Sequence, residues 1–205
     1  MKVLLCNGSP RAKGCTFRAL SEIAKVLEQE GIETEILQVG AQPIRDCIGC
    51  GRCRETGCCA FEGDVVNEWL EKAANADGFV FGSPVYYAHP SGQLLSAMDR
   101  LFMASNGVFA HKPAAAVVTA RRAGTSASLD AIQKHFLDNE MPVVSSTYWN
   151  MVFRPGEKEE DEEGLQTMRN VGRNMAWLLR CLQAGKEKGI EPPVAEHTNW
   201  TNFNR

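Results

Sequence analysis

Apolar positions along the chain change period at regular intervals. Val3, Leu4, Leu5 and Cys6 form an unbroken run, the pattern of a strand covered on both faces, and Phe17, Leu20, Ile23, Ala24 and Leu27 then recur at helical spacing until Gly31 supplies a stop. TEILQV at 34–39 is the next predicted strand. Asp64 is placed to cap a helix whose Val65, Trp69, Leu70 and Ala73 share one face, GFVFGSP at 78–84 returns to the sheet, and Ser91 opens a helix with Leu94, Leu95, Met98, Leu101 and Phe102 on its apolar side. PAAAVVTA at 113–120 predicts a fourth strand, 125–138 a helix, PVVSST at 142–147 a fifth strand, and Leu165, Met168, Met175, Leu179 and Leu182 a last helix. Strands that alternate with helices pair in parallel, because each crossover must be long enough to carry the chain back. The expected class is therefore α/β, a doubly wound, five-stranded parallel sheet with helices on both faces.

The 205 residues suit one domain. Its expected extent is 1–185, with a cysteine-rich insert at 45–62, followed by an irregular tail at 186–205 that contains Pro192 and Pro193 and is suited to packing on a second subunit. GEKEEDEEG at 156–164 reads as an acidic surface loop or helix start, favoured by the positive end of the helix that follows. A formal net charge of −3 gives no electrostatic reason to expect nucleic acid or an anionic membrane as partner. The apolar run in MKVLLCNGSP is too short for a signal-peptide core or a membrane span, so a cytoplasmic location is expected.

Ligands in open α/β sheets settle beyond the carboxyl ends of the strands, and three connections there carry suggestive residues. NGSPRAKGCT at 7–16 joins strand to helix, where backbone N–H groups converge on an anion, the Ser9 and Thr16 hydroxyls donate and Arg11 adds charge. It matches neither the nucleoside-triphosphate loop nor the GxGxxG dinucleotide fingerprint. GSPVYYAHPSGQ at 82–93 offers Pro84, Val85 and Tyr86 as a wall for a flat ring system, a packing role being equally in keeping for Tyr86 and Tyr87. In TARRAGT at 119–125, Gly124 allows close backbone approach and Arg121 and Arg122 offer charge, a solvated surface being equally in keeping for each arginine.

Of the eight cysteines, five lie between Cys47 and Cys59, whereas Cys6, Cys15 and Cys181 read as small apolar packing residues. CIGCGRCRETGCC sets Cys47, Cys50 and Cys53 at CxxCxxC spacing, with Cys58 and Cys59 following and glycines between. Four thiolates so close suit zinc or a cubic iron-sulfur cluster, and spacing alone does not separate the two.

Taken together, NGSPRAKGCT, GSPVYYAHPSGQLLSAMDRL and TARRAGT, in this order, resemble the flavodoxin-like NADPH-dependent FMN reductase family, and the cysteine segment narrows the resemblance to its iron-sulfur flavoprotein branch. The likeness runs from Met1 to about Leu182 and includes YWNMVF at 148–153. It implies that Ser9, Arg11, Gly14, Cys15 and Thr16 hold the FMN phosphate, Cys15 standing where the family more often has Asn. It implies that Pro84, Val85, Tyr86 and Tyr87 hold the isoalloxazine, and that Thr119, Ala120, Arg121 and Gly124 complete the site. It further implies a four-iron, four-sulfur cluster on Cys47, Cys50, Cys53 and Cys59. Five residues separate the third and fourth ligands in the commoner form of the motif, which selects Cys59 over Cys58. Electrons would come from NAD(P)H or a ferredoxin and leave to the cluster, a quinone, a flavin or another small acceptor, in a homodimer or homotetramer. No side chain need act as nucleophile or base, since the cofactor carries the chemistry. Two alternatives stand beside this reading: a flavodoxin-like carrier without turnover, and a non-enzymatic zinc-binding interaction module.

Overall fold

The computed structural model describes residues 1–153, 160–199 and 201. Five strands, β1 (Lys2–Asn7), β2 (Glu33–Gln38), β3 (Gly78–Tyr86), β5 (Ala114–Ala120) and β6 (Met151–Phe153), lie parallel in the order β2-β1-β3-β5-β6. A two-residue strand, β4 (His89–Pro90), folds back antiparallel on the end of β3. The expected α/β class and doubly wound parallel sheet are therefore present.

Side-chain alternation along the central strands builds two cores. Leu4, Cys6, Phe79, Phe81, Ala116 and Val118 face one side, where α3 (Val66–Ala74), α4 (Gly92–Met103) and α5 (Thr125–Asp138) bury Trp69, Leu94, Met98, Leu101, Ile132 and Phe136. Val3, Leu5, Val80, Ala115 and Val117 face the other side, beneath α1 (Cys15–Gln29) and α6 (Glu162–Glu187). A short helix, α2 (Cys53–Thr56), lies in the cysteine segment.

The fifth strand does not occupy 142–147 as expected. In that stretch only Val143 bridges to Ala114, supported by Ala114 N–H to the Pro142 carbonyl at 2.9 Å and Val144 N–H to the Ala114 carbonyl at 2.8 Å. The chain then leaves the sheet, and buried Asn150 closes the excursion: its Nδ2 donates to the Val144 carbonyl at 3.4 Å and its Oδ1 accepts from Ser146 Oγ at 2.7 Å. Pairing resumes at Met151, opposite Val118. Two further expectations fail at the end of α6, where Cys181 is exposed rather than packed and Leu182 is 41 % exposed. There the helix outruns the sheet, and its last turns face the tail at Ile190 across a groove. The helix also continues to Glu187, past the expected boundary at 185.

Residues 156–159 of the acidic stretch, with 200 and 202–205 of the tail, lie outside the described residues. Beyond them Asp161 caps α6, accepting from Gly164 N–H at 2.9 Å and, through its other oxygen, from Phe153 N–H at 2.7 Å; Glu162 and Glu163 occupy the first turn. Among the described residues no helix is long and apolar enough to cross a membrane.

Glu22 ties α1 to α6, accepting from Arg18 and from Arg169 at 2.7 Å each. The Arg18 guanidinium, more than Arg169, holds the Glu22 carboxyl below its ordinary 4.5, against the opposing effect of burial. A carboxyl that is the stronger acid when folded contributes stability above its unfolded pKa and loses it as pH falls through the folded one. Glu22→Gln should therefore flatten the acid limb: between about pH 5 and pH 3 the urea midpoint of the wild type is expected to fall more steeply than that of the variant. Equal slopes would contradict the assignment.

Candidate functional site

The carboxyl ends of β1, β3 and β5 open into a cleft of about 180 Å³ lined by Ser9, Arg11, Gly14, Cys15, Thr16, Pro84, Val85, Tyr86, Thr119, Ala120 and Arg121. Of the residues named for a flavin site, only Tyr87 and Gly124 stand outside this lining.

Each loop is held from below. Asn7, fully buried at the end of β1, accepts from Ser9 N–H at 3.1 Å and donates to Gln38 Oε1 at 2.7 Å, while Gln38 donates to the Ser9 carbonyl. Ser9 Oγ accepts from Arg11 N–H at 3.2 Å, which leaves the hydroxyl proton free to donate into the cleft. Gly14 is the N-cap of α1, makes no side-chain cap, and no acidic residue follows in the first turn. Among the described residues the positive end of this 15-residue helix thus has neither a side-chain cap nor a first-turn carboxylate of its own. Cys15 begins that helix, half-buried in the lining.

On the facing side, Val85 pairs with Pro90 and Tyr86 with His89 in a hairpin whose two tip residues, Tyr87 and Ala88, have φ of 50° and 59°. That is the left-handed geometry of a two-residue hairpin turn, and it leaves Tyr87 fully exposed. Gly124, at φ 88°, touches the hairpin rather than the cleft: a Cβ there would collide with the Ala88 backbone. Arg121 borders the cleft from the exposed surface, whereas Arg122 lies outside it.

Thr16 does not present its hydroxyl freely. Its Oγ1 lies 2.9 Å from Thr119 Oγ1, both groups buried, joining the first turn of α1 to the end of β5. Thr119→Val removes one partner and strands the other, so apo protein should lose about 1–3 kcal/mol of unfolding free energy. The expected readout is a lower urea midpoint at unchanged slope, largely restored by Thr119→Ser.

The cysteine segment forms a second cavity, of about 100 Å³, whose lining includes Cys47, Cys50, Cys53 and Cys59 but not Cys58. Cys58 is exposed, its thiol 3.5 Å from Thr56 Oγ1. Cys59 is fixed three times over: Asn67 accepts from its N–H at 2.8 Å and donates to its carbonyl at 3.1 Å, and Arg100 Nε donates to its sulfur at 3.1 Å. Among the described residues no three His, Cys, Asp or Glu side chains converge on a metal position. Four cysteine sulfurs around one cavity, with Gly49 and Gly51 at positive φ among them, are nonetheless the donor type that a compact sulfur-ligated group takes.

Arg100 and Asn67 carried no signal of this role in the sequence beyond an arginine on the buried stripe of α4, between Ala97 and Ala104. Burial works against the Arg100 charge, and the hydrogen bonds to Asp64 and Cys59 more than offset it. Asp64 does cap α3 from just outside, accepting from Val66 N–H at 3.1 Å, but both of its oxygens also take Arg100.

Strand order, an open carboxyl edge and a cleft at the β1/β3 switch point define a flavodoxin-like protein. Solved structures share this fold: a flavone reductase at TM-score 0.70 and 16% identity, covering 89% of this chain and 64% of that one, and an archaeal flavodoxin at TM-score 0.60 and 15%, covering 88% and 99%. The chain belongs to the NADPH-dependent FMN reductase family, whose family model matches residues 1–155. Its curated relatives include an iron-sulfur flavoprotein of Methanocaldococcus jannaschii, 34% identical over 196 residues that span 89% of this chain and 100% of the relative. Another iron-sulfur flavoprotein, from Methanosarcina thermophila, is 27% identical over 194 residues, 92% of this chain and 100% of the relative.

Proposed function

We propose that this chain is an FMN oxidoreductase of the iron-sulfur flavoprotein type, moving electrons from NAD(P)H or a ferredoxin to a cluster or a small acceptor such as a quinone or free flavin. The observation that carries the reading is the cleft itself: a helix N-terminus without a side-chain cap, the Ser9 hydroxyl and Arg11 on one side, and Pro84, Val85 and Tyr86 on the other. When bound, FMN supplies the electron-accepting chemistry.

The chain's own residues bind and orient. First-turn N–H groups of α1, with Ser9, Gly14, Cys15 and Thr16, receive the phosphate at the positive helix end, and Arg11 neutralises it. Cys15 serves through its backbone N–H, so the departure from Asn costs a side-chain donor rather than the site. Pro84, Val85 and Tyr86 form the wall for the ring, and Thr119, Ala120 and Arg121 close the far side. Gly124 acts indirectly, by letting Ala88 approach and so fixing the hairpin. Cys47, Cys50, Cys53 and Cys59 would hold a four-iron, four-sulfur cluster, supported by the lining of the second cavity and by the names of the relatives.

Anaerobic purification should give a yellow-brown protein with stoichiometric FMN, iron and acid-labile sulfide; a colourless protein that takes up no FMN would overturn the proposal. Bleaching of the flavin by NADPH, followed by repeated turnover with a quinone, is the outcome expected of an NADPH oxidoreductase. Reduction by ferredoxin alone would assign the donor instead to that protein, and reduction without turnover would indicate a carrier. Arg11→Ala is expected to weaken FMN binding about tenfold, roughly 1.4 kcal/mol, with reduced dependence on salt, measured by fluorescence titration of apoprotein.

A further inference from the structure

The cysteine segment has almost no regular structure between Pro43 and Gly51, yet its two ends are fastened by one side chain. Arg100 projects from α4 with none of its side chain exposed. Its Nε donates to Cys59 Sγ at 3.1 Å, Nη1 to the Arg45 carbonyl at 3.2 Å and to Asp64, and Nη2 to the Phe61 carbonyl at 3.1 Å and to Asp64 Oδ1 at 3.2 Å. A guanidinium has five N–H groups, and here all five are used. The guanidinium carbon also lies over the Phe61 ring, 5.3 Å from its centre.

Four of those five acceptors explain how a buried charge is tolerated. The fifth acceptor is the Cys59 sulfur, so the guanidinium that settles its own charge also fixes the position of that Sγ, at 3.1 Å from Nε. The neighbouring Cys58 receives nothing comparable and faces outward.

We propose that Arg100 is the positioning residue of the fourth cluster ligand, an inference that rests on the cluster reading above. It turns Cys59 rather than Cys58 into the cavity, and its Nε–H to the Cys59 sulfur raises the reduction potential of the cluster by stabilising the added negative charge. Hydrogen bonds to ligating sulfurs are among the levers by which a protein sets such potentials. Asp64 orients the guanidinium and Asn67 fixes the Cys59 backbone, so the donor meets the sulfur in one geometry.

The test uses the full chain, purified anaerobically, with cluster and flavin potentials measured in one titration. Arg100→Lys keeps a positive charge but lacks the planar fork, and is expected to shift the cluster potential downward while FMN content and flavin potential stay at wild-type values. The flavin thus reports that the variant is folded. Should Arg100→Lys not fold, the cysteine pair decides: Cys58→Ser is expected to retain iron and the wild-type potential, and Cys59→Ser to lose iron or change the electron paramagnetic resonance signature of the reduced cluster. An unchanged potential in a folded Arg100→Lys overturns the inference while leaving the cluster reading intact; iron kept by Cys59→Ser and lost by Cys58→Ser overturns it together with Cys59 as the fourth ligand, but not the presence of a cluster. A wild-type chain that binds FMN but never iron overturns both.

Discussion

Parallel pairing of β1 with β3, at the point where their onward connections leave in opposite directions, opens the sheet edge on which the chemistry depends. The two strand ends approach too closely for side chains. Gly8 N–H donates to the Gly82 carbonyl at 2.8 Å, and a Cβ on Gly8 would lie 2.7 Å from Leu94 and 2.8 Å from that carbonyl. A Cβ on Gly82 would stand 3.0 Å from Leu20 and from Thr16. Because α1 and α4 close in on these glycines from the two faces, the uncapped start of α1 and the hairpin after β3 end up facing each other across a narrow gap. The two facing sides of the cleft are consequences of that approach.

The cysteine segment is ordered on a different principle. No strand pairs with Pro43–Gly51 and the one helix in the segment is four residues long, so backbone hydrogen bonding contributes little there. What holds it is a desolvated guanidinium, and a buried charge is tolerated only while its donors are satisfied. The Arg45 and Phe61 carbonyls, the Cys59 sulfur and the Asp64 carboxylate therefore cannot move independently: displacing one leaves an N–H unpaired in the interior. Coupling of this kind suits a site that must be compliant at its glycines and fixed at its sulfurs.

These two principles also separate what could be read from the residues from what could not. The strands near 3–6, 78–84 and 113–120 are apolar-rich runs, and the helix expected at 125–138 spans those residues in the structure, because local period and flanking turns determine such elements. The cleft residues were legible for the same reason, since each follows a strand in a connection whose destination is set by parallel topology. The fifth strand was misplaced because PVVSST carries the stronger β pattern while the pairing strand is only Met151–Phe153, positioned by the Asn150 side chain rather than by its own propensity. Tyr87 is carried out of the cleft by a turn conformation that its sequence, without Gly or Asn at the tip, does not announce. Cys181 and Leu182 continue the helical period of α6 but have no sheet left to cover. Arg100 was invisible because its meaning lies in Cys59, 41 positions away.

The two cavities are nevertheless linked by one rigid element. Ser91, immediately before α4, donates its N–H to Ser83 Oγ at 2.8 Å and so ties the start of that helix to β3, just ahead of the hairpin beside the first cleft. Arg100 projects from the same helix, about 12 Å further along its axis at 1.5 Å per residue from Gly92. Leu94, Ala97, Met98 and Leu101 lock the helix onto the sheet between these points. A packed helix therefore spans the distance between the Pro84–Tyr86 side of one cavity and the Cys59 sulfur at the other.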